Sequence, residues 1–421
     1  MKRSVLWCVA LSLATAGGLE AQGLTMQTSN GWTFSFSGNV NAFAVYNDGK
    51  VDQGGDITGA LVTAEKASRV RTGLLPGYAT LSATGKEGGL DLGVHFSFAP
   101  QIQSNSLHDN FGAQIDMREV YLTVGGSWGQ ILAGREIGLF QRQNILTDMT
   151  LSGTGASGGV VGAGGTTLGR IGLGYIYPNF NGQITYSTPA GKPAQLSLGI
   201  FDPSVVCPQD GCGSAGDAAY AGTKIPRVEA ELTWSPSFGG GTAATDEKKS
   251  ANNLLLWANG MVQKTDQFAT DVPGDNPSIT STGVGGGLKL DLSGLSLVGS
   301  GYYADGVGTT FMFGQGTGAL DATGEKRKSY GYIGQATFQA PGTKWMIGAS
   351  YGDSRLKTTD NDPPDALNDL VKSNRSIDGL LSFQWSKALK WVVNYTWATS
   401  ESFSDHKVKT NQVASGFMLF F

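Results

Sequence analysis

From Val408 to Phe421 the chain alternates polar and apolar residues, with Val413, Phe417, Leu419 and Phe421 on one face at a period of two. An apolar strand in this place leaves an exposed hydrophobic edge unless another strand covers it. A sheet whose last strand pairs with its first has no edge, and within lipid only helices and such closed sheets satisfy the backbone. The expected fold is therefore all-β: a transmembrane antiparallel barrel that Phe421 helps to close.

The start of the chain agrees. Met1-Lys2-Arg3 is basic, Val5 to Ala16 is mostly apolar, and small residues follow, which is the pattern of a secretory signal peptide. Ala14-Thr15-Ala16 fits the small-x-small rule, but Leu19-Glu20-Ala21 directly precedes the first polar stretch and is the preferred cut. Residues 1–21 are read as the leader and 22–421 as the barrel. The apolar run is too short for a membrane anchor, which needs about 20 residues, and Cys8 lies inside it rather than at its end, against a lipoprotein.

Charged residues make up 15% of the chain, against about 25% in ordinary soluble domains, and glycine reaches 63 of 421 residues, roughly twice its usual share. No later stretch is apolar enough for a spanning helix, whereas strands that face lipid on one side and water on the other give this balance. The net charge of −4 has no basic excess, so nucleic acid is not an expected partner. Cys207 and Cys212 are an even pair in an exported chain and are expected to form a disulfide closing a small loop. A metal site would need further ligands, and the nearest histidine in sequence, His108, is far away.

Period-two stretches bounded by turn residues number about sixteen. Leu92, Val94, Phe96 and Phe98 share one face, as do Val228, Ala230, Leu232 and Trp234. The first strand, Trp32 to Asn47, changes parity from Phe34 and Phe36 to Phe43 and Val45, which predicts a bulge near Asn41. Arg69 to Lys86 and Arg170 to Thr188 each read as one strand. Short turns such as Glu87-Gly88-Gly89, Gly126-Ser127 and Ser293-Gly294 alternate with long loops, the pattern of periplasmic turns and extracellular loops. Recurrent Trp and Tyr, among them Trp128, Tyr175, Trp257, Tyr302, Tyr332 and Trp345, fit two interfacial girdles.

A charge at the lipid midplane costs roughly 2–4 kcal/mol, so charges inside strands should point into the lumen. Arg227, Glu229 and Glu231 share the parity opposite to Val228 and Leu232, and Lys289 and Asp291 do the same on their strand. The interior is expected to be charged and wet. Arg69, Arg71, Arg118, Arg135 and Arg170 lie in early strands or at their ends; they read either as a basic arc in the lumen or as scattered surface arginines.

The stretch Gly129-Gln130-Ile131-Leu132-Ala133-Gly134-Arg135 with Gly138-Leu139-Phe140, the later Tyr175-Ile176-Tyr177-Pro178 and Ile184-Thr185-Tyr186-Ser187-Thr188-Pro189, and Phe421 resemble the Gram-negative general porins. The resemblance implies a trimer of 16-stranded barrels in the outer membrane, inserted by the barrel-assembly machinery, with Phe421 as assembly signal. It also implies a water-filled channel for passive diffusion of small hydrophilic solutes and ions. The third long loop of that family folds inward, and residues 139–169 occupy its place. The family sets acidic loop residues against basic ones on the wall. Here Asp148, with Glu136 just before the loop, supplies the acid, Arg142 lies on the loop, and Gly153 to Gly165 is uncharged. With the arginines on the wall, a modest preference for anions follows.

A solute-selective channel is the alternative, and an outer-membrane barrel enzyme a weaker one. His95, His108 and His406 are the only imidazoles, and none sits in a nucleophile or zinc motif. No cofactor, metal or covalent chemistry is expected.

Overall fold

The computed structural model describes residues 23–103, 115–158, 165–204, 206, 223–236, 252–265, 278–313, 318–321, 323–362, 367 and 369–421. The leader, Cys207, Cys212 and His108 lie outside them. Eighteen strands form one sheet. In chain order they are β1 (Leu24–Gln27), β2 (Thr33–Gln53), β3 (Lys66–Arg71), β4 (Tyr78–Glu87), β5 (Leu90–Pro100), β6 (Ile115–Gly126), β7 (Gly129–Ile137), β8 (Phe180–Ser187), β9 (Ala194–Phe201) and β10 (Arg227–Trp234). The remainder are β11 (Asn253–Thr265), β12 (Ile279–Leu292), β13 (Leu295–Asp305), β14 (Lys328–Gln339), β15 (Trp345–Leu356), β16 (Val371–Gln384), β17 (Leu389–Ser402) and β18 (Lys407–Phe420).

These strands make a closed barrel of sixteen staves. β3 and β4 both pair with β2 and together form one stave, while β1 is a four-residue strand paired to the start of β2. Closure runs through β18 and β2, from Lys407 opposite Gln53 to Phe420 opposite Asn39. Phe421 extends it: its N–H donates to Gly38 O at 3.0 Å, and Gly38 N–H donates to Phe421 O at 2.9 Å. The tight turns follow from their residues. Gly88 and Gly89, and Ser293 and Gly294, all take positive φ, as two-residue hairpins that match strand twist require.

One face of each stave carries exposed apolar side chains, among them Val94, Phe96, Leu122, Ile184, Leu198, Leu232, Val284, Ile347, Ile377, Val413, Phe417 and Leu419. The opposite parity carries His95, Glu119, Glu229, Glu231, Gln335, Asp378, Asn394 and Gln412, all buried. This is the in–out alternation of a membrane barrel. Outward aromatics form clusters, such as Trp128 stacked 6.3 Å from Tyr186, and Trp345 between Phe383 and Trp391.

Four expectations are corrected. Of the stretch Arg170 to Thr188 only Phe180–Ser187 is a strand, and the residues before it belong to the segment that packs inside the barrel. β2 keeps its parity through Asn41: Val40, Ala42, Ala44 and Tyr46 face outward, while Phe43 and Val45 point inward into a buried apolar cluster. Register shifts fall elsewhere: at Asp52 further along β2, where Lys407 pairs with Gln53 and Val408 with Val51, at Arg118, where Ser97 pairs with Glu119 and Phe98 with Met117, and at Lys372. The Arg69–Lys86 strand breaks at residues 72–77. There Pro76 has no N–H to offer a ladder, and Asn39 and Asn41 side chains take over, donating to Pro76 O at 2.8 Å and Leu75 O at 2.9 Å. Tyr175, Trp257 and Tyr302 are buried in the interior rather than in a girdle.

Candidate functional site: the inner face of the barrel

β7 and β8 are joined by the long segment 138–179, and its polar atoms are bonded to inward-facing side chains around much of the wall. It begins at β10, where one Glu229 carboxylate oxygen accepts the N–H groups of Leu139 at 2.7 Å and Phe140 at 2.9 Å. Gln141 takes a positive φ of 69° and leads into the one-turn helix α1 (Arg142–Leu146). Arg142 grips Glu231 through Nε at 3.1 Å and one Nη at 2.5 Å, and Trp257 Nε1 donates to Asn144 Oδ1 at 2.8 Å. The chain passes this close to the sheet because β12 presents glycines inward. A Cβ on Gly283 would stand 2.6 Å from the Phe140 ring, and one on Gly285 would strike the Gln141 amide.

Asp148 then caps the short 3₁₀ turn Met149–Ser152, accepting from Thr150 N–H at 2.8 Å and from the Tyr175 hydroxyl at 2.9 Å. Burial pushes the Asp148 carboxyl above its ordinary pKa and that of Tyr175 well above its own. Gln335 of β14 holds the start of this turn, accepting from Met149 N–H at 2.8 Å and donating to Thr147 O at 3.0 Å. Further along, Asn394 Oδ1 of β17 accepts from Thr154 N–H at 3.1 Å and Gly155 N–H at 2.7 Å. Gln412 of β18 accepts from Ser157 N–H at 3.0 Å and donates to Gly155 O at 2.6 Å.

The return half is fixed by arginines. Arg71 donates to Gly165 O at 3.3 Å and Thr166 O at 3.0 Å. Arg170, fully buried, reaches β15 and β16, donating to Ser376 O at 2.8 Å and pairing with Asp378 at 3.1 Å. Between these tethers lies an apolar cluster that includes Phe43, Leu74, Ile145, Met149, Leu151, Tyr175, Leu380, Val392 and Met418. The interior therefore holds a packed apolar cluster as well as charge, and this is why Phe43 and Val45 face inward.

The candidate residues named from sequence thus have different fates. Glu229, Glu231, Arg227, Glu136 and Arg170 all project inward, but Arg227 pairs with Glu229 at 2.8 Å, and Arg142 and Arg170 have the carboxylate partners just described. Arg71 is buried on loop carbonyls, and Arg69 shares its inward parity. Arg118 sits on the β6 bulge, paired with Asp116 at 2.9 Å and 5.6 Å from the Phe180 ring. Arg135 is corrected: it shares the outward parity of Ile131 and is exposed, near the end of β7, where a lipid-side charge costs about 0–1 kcal/mol. A continuous basic arc does not assemble. Sequence reasoning missed Gln335, Asn394, Gln412 and Asp378, since an inward polar residue carries no mark of the loop it will bind.

A cavity of 210 Å³ lies beside α1, against β5 to β9. Tyr121, Gln130, Glu136, Arg142, Gln183 and Thr185 are among its lining residues. Behind it, His95 stacks on Tyr121 with ring centroids 4.6 Å apart and bonds Glu119 at 2.8 Å.

A closed antiparallel barrel of sixteen staves, apolar outside and polar inside, defines the class of fold. Its likenesses among solved structures are porins and channels. The outer membrane channel DcaP of Acinetobacter baumannii superposes with a TM-score of 0.67 at 15% identity, covering 94% of this chain and 99% of that one. The anion-selective porin from Comamonas acidovorans gives 0.59 at 13% identity, covering 93% and 100%. Salmonella typhi OmpF, in complex with daunomycin, gives 0.55 at 13% identity, covering 94% and 100%. No protein-family model and no curated protein matches the chain.

Proposed function

We propose that the protein is an outer-membrane porin, a water-filled channel through which small hydrophilic solutes and ions diffuse passively. The observation that carries this reading is the closed sixteen-stave barrel with segment 138–179 tethered to its inner face at β10, β14 and β15–β18. A segment so placed narrows the lumen, and residues 139–169 are its constriction. The bracing on several staves favours a fixed, solute-selective opening over a loop that lies loosely in the lumen. Catalysis is not part of the reading, and its support is that His95 is already engaged by Glu119 and Tyr121. Residues 1–21 act as the leader, Cys207 and Cys212 form a disulfide, and Phe421 serves as assembly signal. The assembly is a homotrimer; one neighbour, OmpT of Vibrio cholerae, was solved in a trimer form.

Liposome swelling with a graded series of sugars and amino acids tests the channel. Swelling whose rate falls with solute size supports a general pore, and rates that depart from size order support a selective one. Liposomes that swell with none of them would overturn the porin reading. Titration of two free thiols in the unfolded, unreduced mature protein would exclude the disulfide.

A further inference from the structure

We propose that the cavity between α1 and the β5–β9 wall is a solute subsite that takes a small zwitterion of the amino-acid class, its ammonium toward Glu136 and its carboxylate toward Arg142. The inference deepens the porin reading and rests on it. Its starting point is which charged groups border the cavity. Arg227, Arg170 and Arg118 each have a carboxylate partner, and Arg71 lies on loop carbonyls away from this cavity. Three charged residues line the cavity: Asp91, which is paired with Lys86, and Glu136 and Arg142.

The two groups are differently held. Glu136, on the inward parity of β7, accepts from Ile137 N–H at 3.0 Å through one carboxylate oxygen, and among the described residues it makes no ion pair. Arg142, on α1, gives Nε and one Nη to Glu231, and Glu231 lies outside the lining. The guanidinium fork has five donors, so a second anion can bind its remaining edge. One carboxylate on the wall and one guanidinium on the loop thus face the same space. Around them stand the Tyr121 hydroxyl and the Gln130 amide, with Gln183 and Thr185 already bonded to each other. Such groups orient a polar solute without adding to the charge.

The volume sets the size. A cavity of 210 Å³ admits a small solute. The charge pattern sets the kind. A simple anion drawn to Arg142 meets Glu136, and a simple cation drawn to Glu136 meets Arg142. A molecule carrying both charges satisfies both, which is discrimination by repulsion as well as attraction. Glu136 and Arg142 are largely buried but border the lumen, and an ion pair screened by lumen water is worth up to about fivefold in occupancy, so the effect on flux is modest.

L-alanine and lactamide test this, being isomers of one composition, the first a zwitterion and the second neutral. Full-length protein in liposomes should pass L-alanine about threefold faster than lactamide at low concentration, an advantage on the scale of one such screened ion pair. The advantage should disappear as the alanine concentration saturates the site. In Glu136→Gln and in Arg142→Gln the ratio of the two rates should fall to one. In planar bilayers of the unsubstituted protein, L-alanine but not lactamide should reduce the single-channel current saturably, a measurement that needs no variant to fold. Equal alanine and lactamide rates without current block, or an advantage kept in both variants, would overturn the subsite while leaving the porin intact. A protein that passes neither isomer nor ions would remove the porin reading and the subsite with it.

Discussion

At the scale of single residues, the interior is organised by inward polar side chains that hold the segment crossing it. Arg170 and Asp378 are both fully buried and bonded to each other. Removing one partner of such a pair leaves a buried charge uncompensated and costs about 3–5 kcal/mol. Asp378→Asn should therefore lower the denaturant midpoint of the detergent-solubilised barrel. A midpoint equal to that of the unsubstituted protein would show that Arg170 finds another anion. Asp148 gives a second expectation, with a pH sign. Burial raises its folded pKa, so its contribution to stability is fully present below the ordinary carboxylate value, about 3.9, and is lost as pH rises through the raised folded value. Asp148→Asn cannot ionise; its amide oxygen can still accept from Thr150 N–H, and its NH2 can donate to the Tyr175 hydroxyl in place of the bond that the second carboxylate oxygen accepted. Its melting temperature relative to the unsubstituted protein should rise on going from pH 4 to pH 8, and a difference that does not vary with pH would refute this. Parity could be read from sequence at this scale, including Arg135 beside Ile131 on the outward set. Partners could not, because nothing local to Arg71 or Arg170 says whether it faces water, a carboxylate or a loop carbonyl.

At the scale of elements, alternation made the staves legible. The apolar face of β5 and the inward charges of β10 fall where parity puts them. The breaks were not legible, since β3 and β4 part where Asn39 and Asn41 bind the diverging chain, a long-range event that the 69–86 stretch does not encode. The glycines of β12 are the reverse case. Gly283, Gly285 and Gly287 weaken a strand by their backbone entropy, and nothing in their neighbourhood explains them. The explanation is Phe140 above Gly283, Gln141 above Gly285 and the Trp257 ring beside Gly287. Gly283→Val should consequently push α1 off the wall and disturb the Arg142–Glu231 grip, whereas Gly334→Ala, with nothing within 4 Å of its Cβ, should not. Single-channel conductance compares the two. Equal conductance in the unsubstituted protein and both variants would mean that α1 does not bear on the path.

At the scale of the whole molecule, everything depends on closing the sheet. The β18–β2 seam joins the two ends of the described chain, so it forms across the longest sequence separation in the fold, and such contacts form late and slowly. Phe421 sits where the seam ends. It exchanges two backbone hydrogen bonds with Gly38, and its ring lies 5.4 Å from that of Phe36. Two such bonds contribute about 1–3 kcal/mol together, too little to unfold a barrel once it is closed. The same contacts matter more before closure, when an unpaired strand edge in lipid leaves every backbone group at that edge without a partner. Deleting Phe421 should accordingly reduce the amount of folded barrel that reaches the membrane much more than it lowers the melting temperature of the fraction that assembles. Both quantities are read from one experiment, the yield of the heat-modifiable band in membrane fractions and the temperature at which that band shifts. A yield equal to that of the unsubstituted chain would refute a role in assembly. A fall in melting temperature large enough to account for the lost yield would make the role one of equilibrium stability instead.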